Sequence, residues 1–268
     1  MPNRILQTLL VSLFGLTLLF IDKSSEACLW YIIPTGILAI ASFVFGKLIN
    51  EYWFTKHKPV LDDYEIKWVT KFIPYFSHLN ESFKVKFLSQ LALELKQREF
   101  VSMTDKKLPE ELKLMALAPA VRLGLDLNNP QSTKYHKIVF YHTAFPSPQY
   151  QYLHLSETFH EDGVLIFASD ALQIAHAQPD TYFNTALYEW AAIFSEIFNL
   201  KNKFPLNDFD SWKLIEKILH TEKKRLHDYM GIPELNVAAI LIYSYIMYPQ
   251  KLMEANPECF SKISSLID

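Results

Sequence analysis

Two uncharged apolar runs at the start of the chain constrain its fold more than any other feature. Residues 5–21 read ILQTLLVSLFGLTLLFI, with Gln7, Thr8, Ser12 and Thr17 as the only polar interruptions, and residues 27–46 carry no charge. A bilayer core of roughly 30 Å takes about 20 helical residues, so the second run is long enough and the first lies at the short limit. Pro34 falls early in the second run, where a kink is tolerated. The DKSSE segment between the runs suits a helical hairpin. A cleaved secretory signal is the rival reading of the first run, but no small-x-small cleavage pattern follows it and the second run begins almost at once. Cys28 sits in a poor lipobox, with Glu26 where a small or apolar residue belongs.

Orientation follows from the cations. Arg4 precedes the first run and Lys47, Lys56 and Lys58 follow the second, while the connection holds only Lys23. The positive-inside rule therefore expects both ends in the cytoplasm, with Trp30, Tyr31, Tyr52 and Trp53 as interfacial anchors. The expectation is a multi-pass protein of the inner (cytoplasmic) membrane, with a two-helix transmembrane hairpin over 1–58 and a cytoplasmic domain over 59–268.

The remaining residues suffice for one domain. A hydrophobic fraction of 50% excludes a disordered chain, and two cysteines exclude a disulfide framework or a Cys-based zinc site. A net charge of -3 and the short Lys223–Lys224–Arg225 cluster give no nucleic-acid footprint. No Gly-rich phosphate loop or G-x-S-x-G elbow occurs.

Periodicity predicts a helix capped by Asn80 or Ser82, with Phe83, Phe87, Leu88, Leu91 and Leu95 on its apolar face. A second helix opens at Pro109 and ends near Gly124. Residues 137–142, 151–155 and 163–167 read as strands, the last two pairing as a hairpin across Glu161–Asp162–Gly163. After the N-cap candidates Ser169 and Asp170 the chain reads helical over 181–199, 208–229, 234–247 and 257–267. The class is α+β: mostly helical, with a small sheet.

Residues 184–194 read NTALYEWAAIF. Zinc peptidases carry two histidines at i and i+4 on one helix face and a glutamate beside the first as general base. In that frame Tyr188 stands at the first histidine, Glu189 at the base and Ala192 at the second histidine. The order of the flanking segments extends the frame: IVFYH with Phe145, GVLIFA before Ser169 and Asp170, Asn184 ahead of Tyr188–Glu189, NVAAIL at 236–241, MYPQ at 247–250 and NPECF at 256–260. Over roughly residues 65–267 the chain resembles the Mlc titration factor A (MtfA) family of zinc-dependent peptidases.

The resemblance implies a zincin-like fold and places the third ligand, a glutamate in the family, at Asn236. Tyr188, Ala192 and Asn236 are degenerate ligand positions and only Glu189 matches, so no metal and no cofactor is expected. The family takes its name from a member that sequesters a transcriptional repressor, so protein binding is an activity that the resemblance permits without zinc. The leading expectation is a membrane-anchored pseudopeptidase that binds an unidentified protein partner. The alternative is an active zinc-dependent metallopeptidase with non-standard ligands, and a third is a structural membrane protein.

Read by itself, Glu189 falls on a polar stripe with Tyr182, Thr185, Ala192 and Glu196, and solvent exposure is expected there. Three histidine groupings are candidates for a relocated site: His154 and His160 with Glu161 and Asp162, Glu216 with His220 and His227 on one helix face, and His136 with His142.

Overall fold

A computed structural model describes residues 2–20, 26–104, 107–125, 133–200 and 208–267. The chain divides into two compact units, Met1–Pro59 and Val60–Asp268.

The first unit holds α1 (Pro2–Phe20), α2 (Glu26–Val44) and α3 (Gly46–Lys56). The α1 and α2 backbones approach where side chains are small: a Cβ on Gly36 would stand 3.2 Å from the Phe14 ring. A polar group adds to the contact, Gln7 Nε2 donating to the Ser42 carbonyl at 3.2 Å, and the Asn3 N–H ties α1 to α3 by donating to Asn50 Oδ1 at 3.1 Å. Large apolar side chains such as Leu19, Trp30 and Val44 face outward. Among the described residues no single helix is long and apolar enough to cross a membrane. The apolar part of α1, Asn3–Leu19, reaches only about 26 Å at 1.5 Å per residue. The second run breaks at Phe45, so Trp30–Val44 and Leu48–Phe54 meet the length requirement only as a pair bent by 77°. Most of the DKSSE connection lies outside the described residues.

The second unit is mostly helical around a four-stranded mixed sheet, an α+β arrangement. Its strands are β1 (Glu99–Ser102), β2 (Lys137–Tyr141), β3 (Ser156–Phe159) and β4 (Val164–Ala168), in the order β1-β2-β4-β3. β2 runs parallel to both β1 and β4, and β3 runs antiparallel to β4 as the outer strand. The helices are α4 (Asp63–Phe72), α5 (Glu81–Gln97), α6 (Glu110–Arg122), α7 (Ser169–Ala177), α8 (Thr185–Ile197), α9 (Asp208–Leu219), α10 (Lys223–Met230), α11 (Val237–Met247), α12 (Pro249–Ala255) and α13 (Pro257–Ile267).

Side-chain caps start several of these helices. Asn80, Asn184 and Asn236 each accept the backbone N–H three residues on, opening α5, α8 and α11. Asp62 and Glu65 form a reciprocal capping box at α4. α6 carries Glu110 and Glu111 in its first turn, behind Pro109. α7 differs from expectation, because Ala168 occupies the N-cap position and Ser169 is already helical.

Three further expectations are corrected. β1 is a strand that the sequence patterning did not signal. Residues 151–155 form no strand, since His154 pairs only with Phe145 and the Leu155 N–H donates to the Met230 carbonyl at 3.1 Å; the hairpin strand begins at Ser156. The helix expected over 208–229 breaks at His220, which takes a left-handed φ of 52°. Glu216 Oε1 then accepts the Lys223 N–H at 2.8 Å, at the start of α10. Gly231 ends α10 at φ 71°, and a Cβ there would stand 2.2 Å from the Leu153 carbonyl oxygen, so both conformation and space demand glycine.

Candidate functional site

The centre of the second unit is α8. Its sequence alternates large apolar groups with small ones, and every residue from Thr185 to Ser195 except Ala192 is buried. Trp190 anchors one side: its indole N–H donates to the Ala116 carbonyl at 2.7 Å, and the Arg98 guanidinium lies 5.0 Å from its ring. Arg98 is itself buried and ion-paired with Glu94. The opposite side of α8 meets β3 and α11, and there the residues singled out from the sequence lie.

Tyr188, Glu189, Ala192 and Asn236 all line one cleft of about 2000 Å³. Tyr188 and Asn236 touch, the Asn236 N–H donating to Tyr188 Oη at 3.0 Å. Asn236 Oδ1 is occupied as well, accepting the Ala239 N–H at the start of α11. Burial raises the Tyr188 phenol, and the neighbouring Glu189 raises it further, so the ring stays neutral.

Glu189 is not on a solvated stripe. It is 5% exposed, and both carboxylate oxygens are engaged: Ser156 Oγ donates to Oε1 and Thr158 Oγ1 donates to Oε2, each at 2.7 Å. Ser156 and Thr158 are two apart on β3, so their side chains emerge from one face of the strand. Burial pushes the Glu189 carboxyl above its ordinary range; the two hydroxyls pull it back, Glu157 raises it and His154 lowers it. Thr185, expected on the same stripe, is fully buried too, whereas Glu196 is exposed.

The histidine groupings do not form metal sites. His154 is fully buried, with Nδ1 3.0 Å from the Tyr152 carbonyl and Nε2 3.1 Å from Glu157 Oε2. His160 Nδ1 lies 2.8 Å from Tyr135 Oη and 3.2 Å from Glu196 Oε2, apart from the exposed Glu161 and Asp162. His220 sits in the turn between α9 and α10, which disperses the Glu216, His220 and His227 face. His136 Nδ1 contacts the Lys134 carbonyl. Among the described residues no three His, Cys, Asp or Glu side chains are placed to share a metal ion.

Sequence reasoning missed three residues of this site: Ser156, Glu157 and Thr158. Their only signal is the hydroxyl at alternate positions of β3, which says nothing of what the strand faces. The Leu155 carbonyl accepts from the Ala168 N–H at 2.8 Å, so strand alternation turns the backbone of Glu157 and Phe159 toward β4. The backbone groups of Ser156 and Thr158 then point to the open edge of the sheet.

No protein-family model matches this chain, and no curated protein matches it. The zinc question therefore rests on donor chemistry. Tyr188 offers a neutral phenol that already accepts a hydrogen bond, Ala192 offers no donor atom, and the Asn236 side-chain oxygen is committed to a helix cap. These residues do not fit a Zn²⁺ ion, which takes deprotonated or imidazole ligands in tetrahedral array.

Proposed function

We propose that this protein is a membrane-anchored pseudopeptidase related to the MtfA peptidases, with a zincin-like domain that acts by binding an extended segment of a partner protein. The observation that carries this reading is the state of Glu189. Both its oxygens are held by β3 hydroxyls, and the three companion positions supply no set of metal ligands, so the would-be base has no activated water to deprotonate. What the cleft retains is shape: about 2000 Å³ of space bordered by outer strand β3, whose Ser156 and Thr158 backbone groups face away from β4 and have no backbone partner among the described residues. An unpaired strand edge is a template for an added strand, with main-chain hydrogen bonds supplying affinity. Exposed Tyr152 and Leu153 on the cleft wall add apolar contact area.

The first unit is the anchor in this proposal. Its helices pair through Gly36 and turn apolar side chains outward, which suits a hairpin held in lipid, with the short spans matched by local thinning of the bilayer. The Lys and Arg distribution supports a cytoplasmic second unit in this reading, where tethering would raise the local concentration of a membrane-associated partner.

The test uses the full chain purified in detergent. Metal content is measured by elemental analysis and hydrolysis is followed with a peptide library. The expected result is substoichiometric zinc and no cleavage. Stoichiometric zinc, with hydrolysis abolished by Glu189→Gln, would overturn the reading.

A further inference from the structure

We propose that the segment bound in the cleft carries a lysine or arginine whose cationic side chain is received by Glu157. This rests on the reading of the cleft as a site for an extended polypeptide, and deepens it by naming the chemistry that the site selects.

Glu157 lies on β3 in the cleft wall and is 4% exposed. Its Oε2 is fixed 3.1 Å from His154 Nε2. The His154 ring is held in turn, with its centroid 4.5 Å from that of Phe145 and 5.6 Å from that of Tyr150. Glu157 Oε1 has no hydrogen-bond partner among the described residues. A buried carboxylate oxygen without a donor is costly, so a donor arriving from outside is favoured there. A cationic donor gains most, because the hydrogen bond is charge-assisted in a low-dielectric wall.

The charge of the cleft points the same way. Among the described residues lining it, seven are Asp or Glu and only Lys223 and Lys224 are cationic. The Lys223 ammonium stands 4.8 Å above the Trp212 ring, which draws it against the wall. Glu196, Asp228 and Glu234 are exposed on the rim, where their field attracts a positive segment and speeds its approach. An acidic segment would meet like charge at every one of these positions. Tyr150 and Tyr152 present ring surface along which the aliphatic stem of a lysine or arginine packs.

The experiment uses the full chain in detergent micelles and three pools of short fluorescent peptides. Each pool is randomised over uncharged residues and carries a fixed central Arg, Gln or Glu. The Arg pool is expected to bind about tenfold more tightly than the Gln pool, with the Glu pool weakest. Glu157→Gln should remove most of that preference, and raising the salt concentration should shrink it. If Glu157→Gln fails to fold, the pair Asp228→Asn and Glu234→Gln, on exposed residues, should reduce the preference instead. Equal binding of all three pools would overturn the cationic selection while leaving the segment-binding reading in place. Failure of every pool to bind would overturn both.

Discussion

At the scale of single residues, the informative carboxylate is Glu189. Taking it out of water disfavours its charge, and only the paired hydroxyls of Ser156 and Thr158 make the position tolerable. Removing the carboxylate strands the buried Ser156 hydroxyl and the half-buried Thr158 hydroxyl, and opens a cavity. Glu189→Ala should therefore lower unfolding free energy by about 2–4 kcal/mol. Glu189→Gln keeps the volume and an acceptor, and should stay within about 1 kcal/mol of the parent. The folded-state carboxyl titrates above its ordinary 4.5, so its contribution is fully present below that pH and is lost as pH rises through the folded value. Urea unfolding across this range should show a fall in stability that is absent in Glu189→Gln. An unchanged slope in the variant would mean that Glu189 is solvated after all.

At the scale of elements, the entry into α8 depends on a chain of polar contacts. Asn184 caps the helix through Oδ1, its N–H donates to Tyr243 Oη at 3.3 Å, and its Nδ2 lies 3.4 Å from His176 Nε2. His176 Nδ1 meets the Leu172 carbonyl at 2.9 Å, so the ring is neutral, donating at Nδ1 and accepting at Nε2. Burial lowers its pKa from 6.5 to about 4, against a smaller opposing effect of the Leu172 carbonyl. Stability from the neutral ring is thus present above 6.5 and lost as pH falls through about 4, with an upper bound of about 3 kcal/mol. Thermal unfolding should reveal this loss in the parent and a flatter acid limb in His176→Gln. The same acid limb in both proteins would rule out His176 as its source. Because α8 carries Tyr188 and Glu189, a loosened cap is expected to reach the cleft as well.

At the scale of the molecule, two units with different surfaces share one chain. The second unit closes around buried α8 and α11, and Arg98, ion-paired with Glu94 one turn back in α5, ties the end of that helix to the core through its guanidinium against the Trp190 ring. The first unit instead leaves Ile5, Leu19, Ile40 and Val44 at 65–79% exposure. Apolar surface of that extent calls for a lipid or protein cover. With Arg4, Lys47, Lys56 and Lys58 flanking the two apolar runs, an alkaline phosphatase fusion after residue 60 should be inactive and a cytoplasmic reporter there active. Phosphatase activity at that fusion would reverse the proposed topology.

The sequence by itself determined what depends on near neighbours in the chain. Uncharged runs defined the first unit, apolar spacing located α5 and α6, and the β-branched 137–141 stretch became β2. Of the helix starts, the Asn80 cap was legible in advance, while Asn184 and Asn236 entered through the family frame and turned out to be caps. The tertiary structure alone decided what depends on distant partners. Ser156 and Thr158 reach Glu189 across 33 and 31 positions of sequence, and Asn236 reaches Tyr188 across 48. The stripe that looks polar on an isolated helix is buried at Thr185 and Glu189, where other elements cover it, and no periodicity within α8 encodes that cover. Strand 151–155 failed for the same reason: His154 and Leu155 gave their backbone groups to Phe145 and Met230, partners that local propensity does not see.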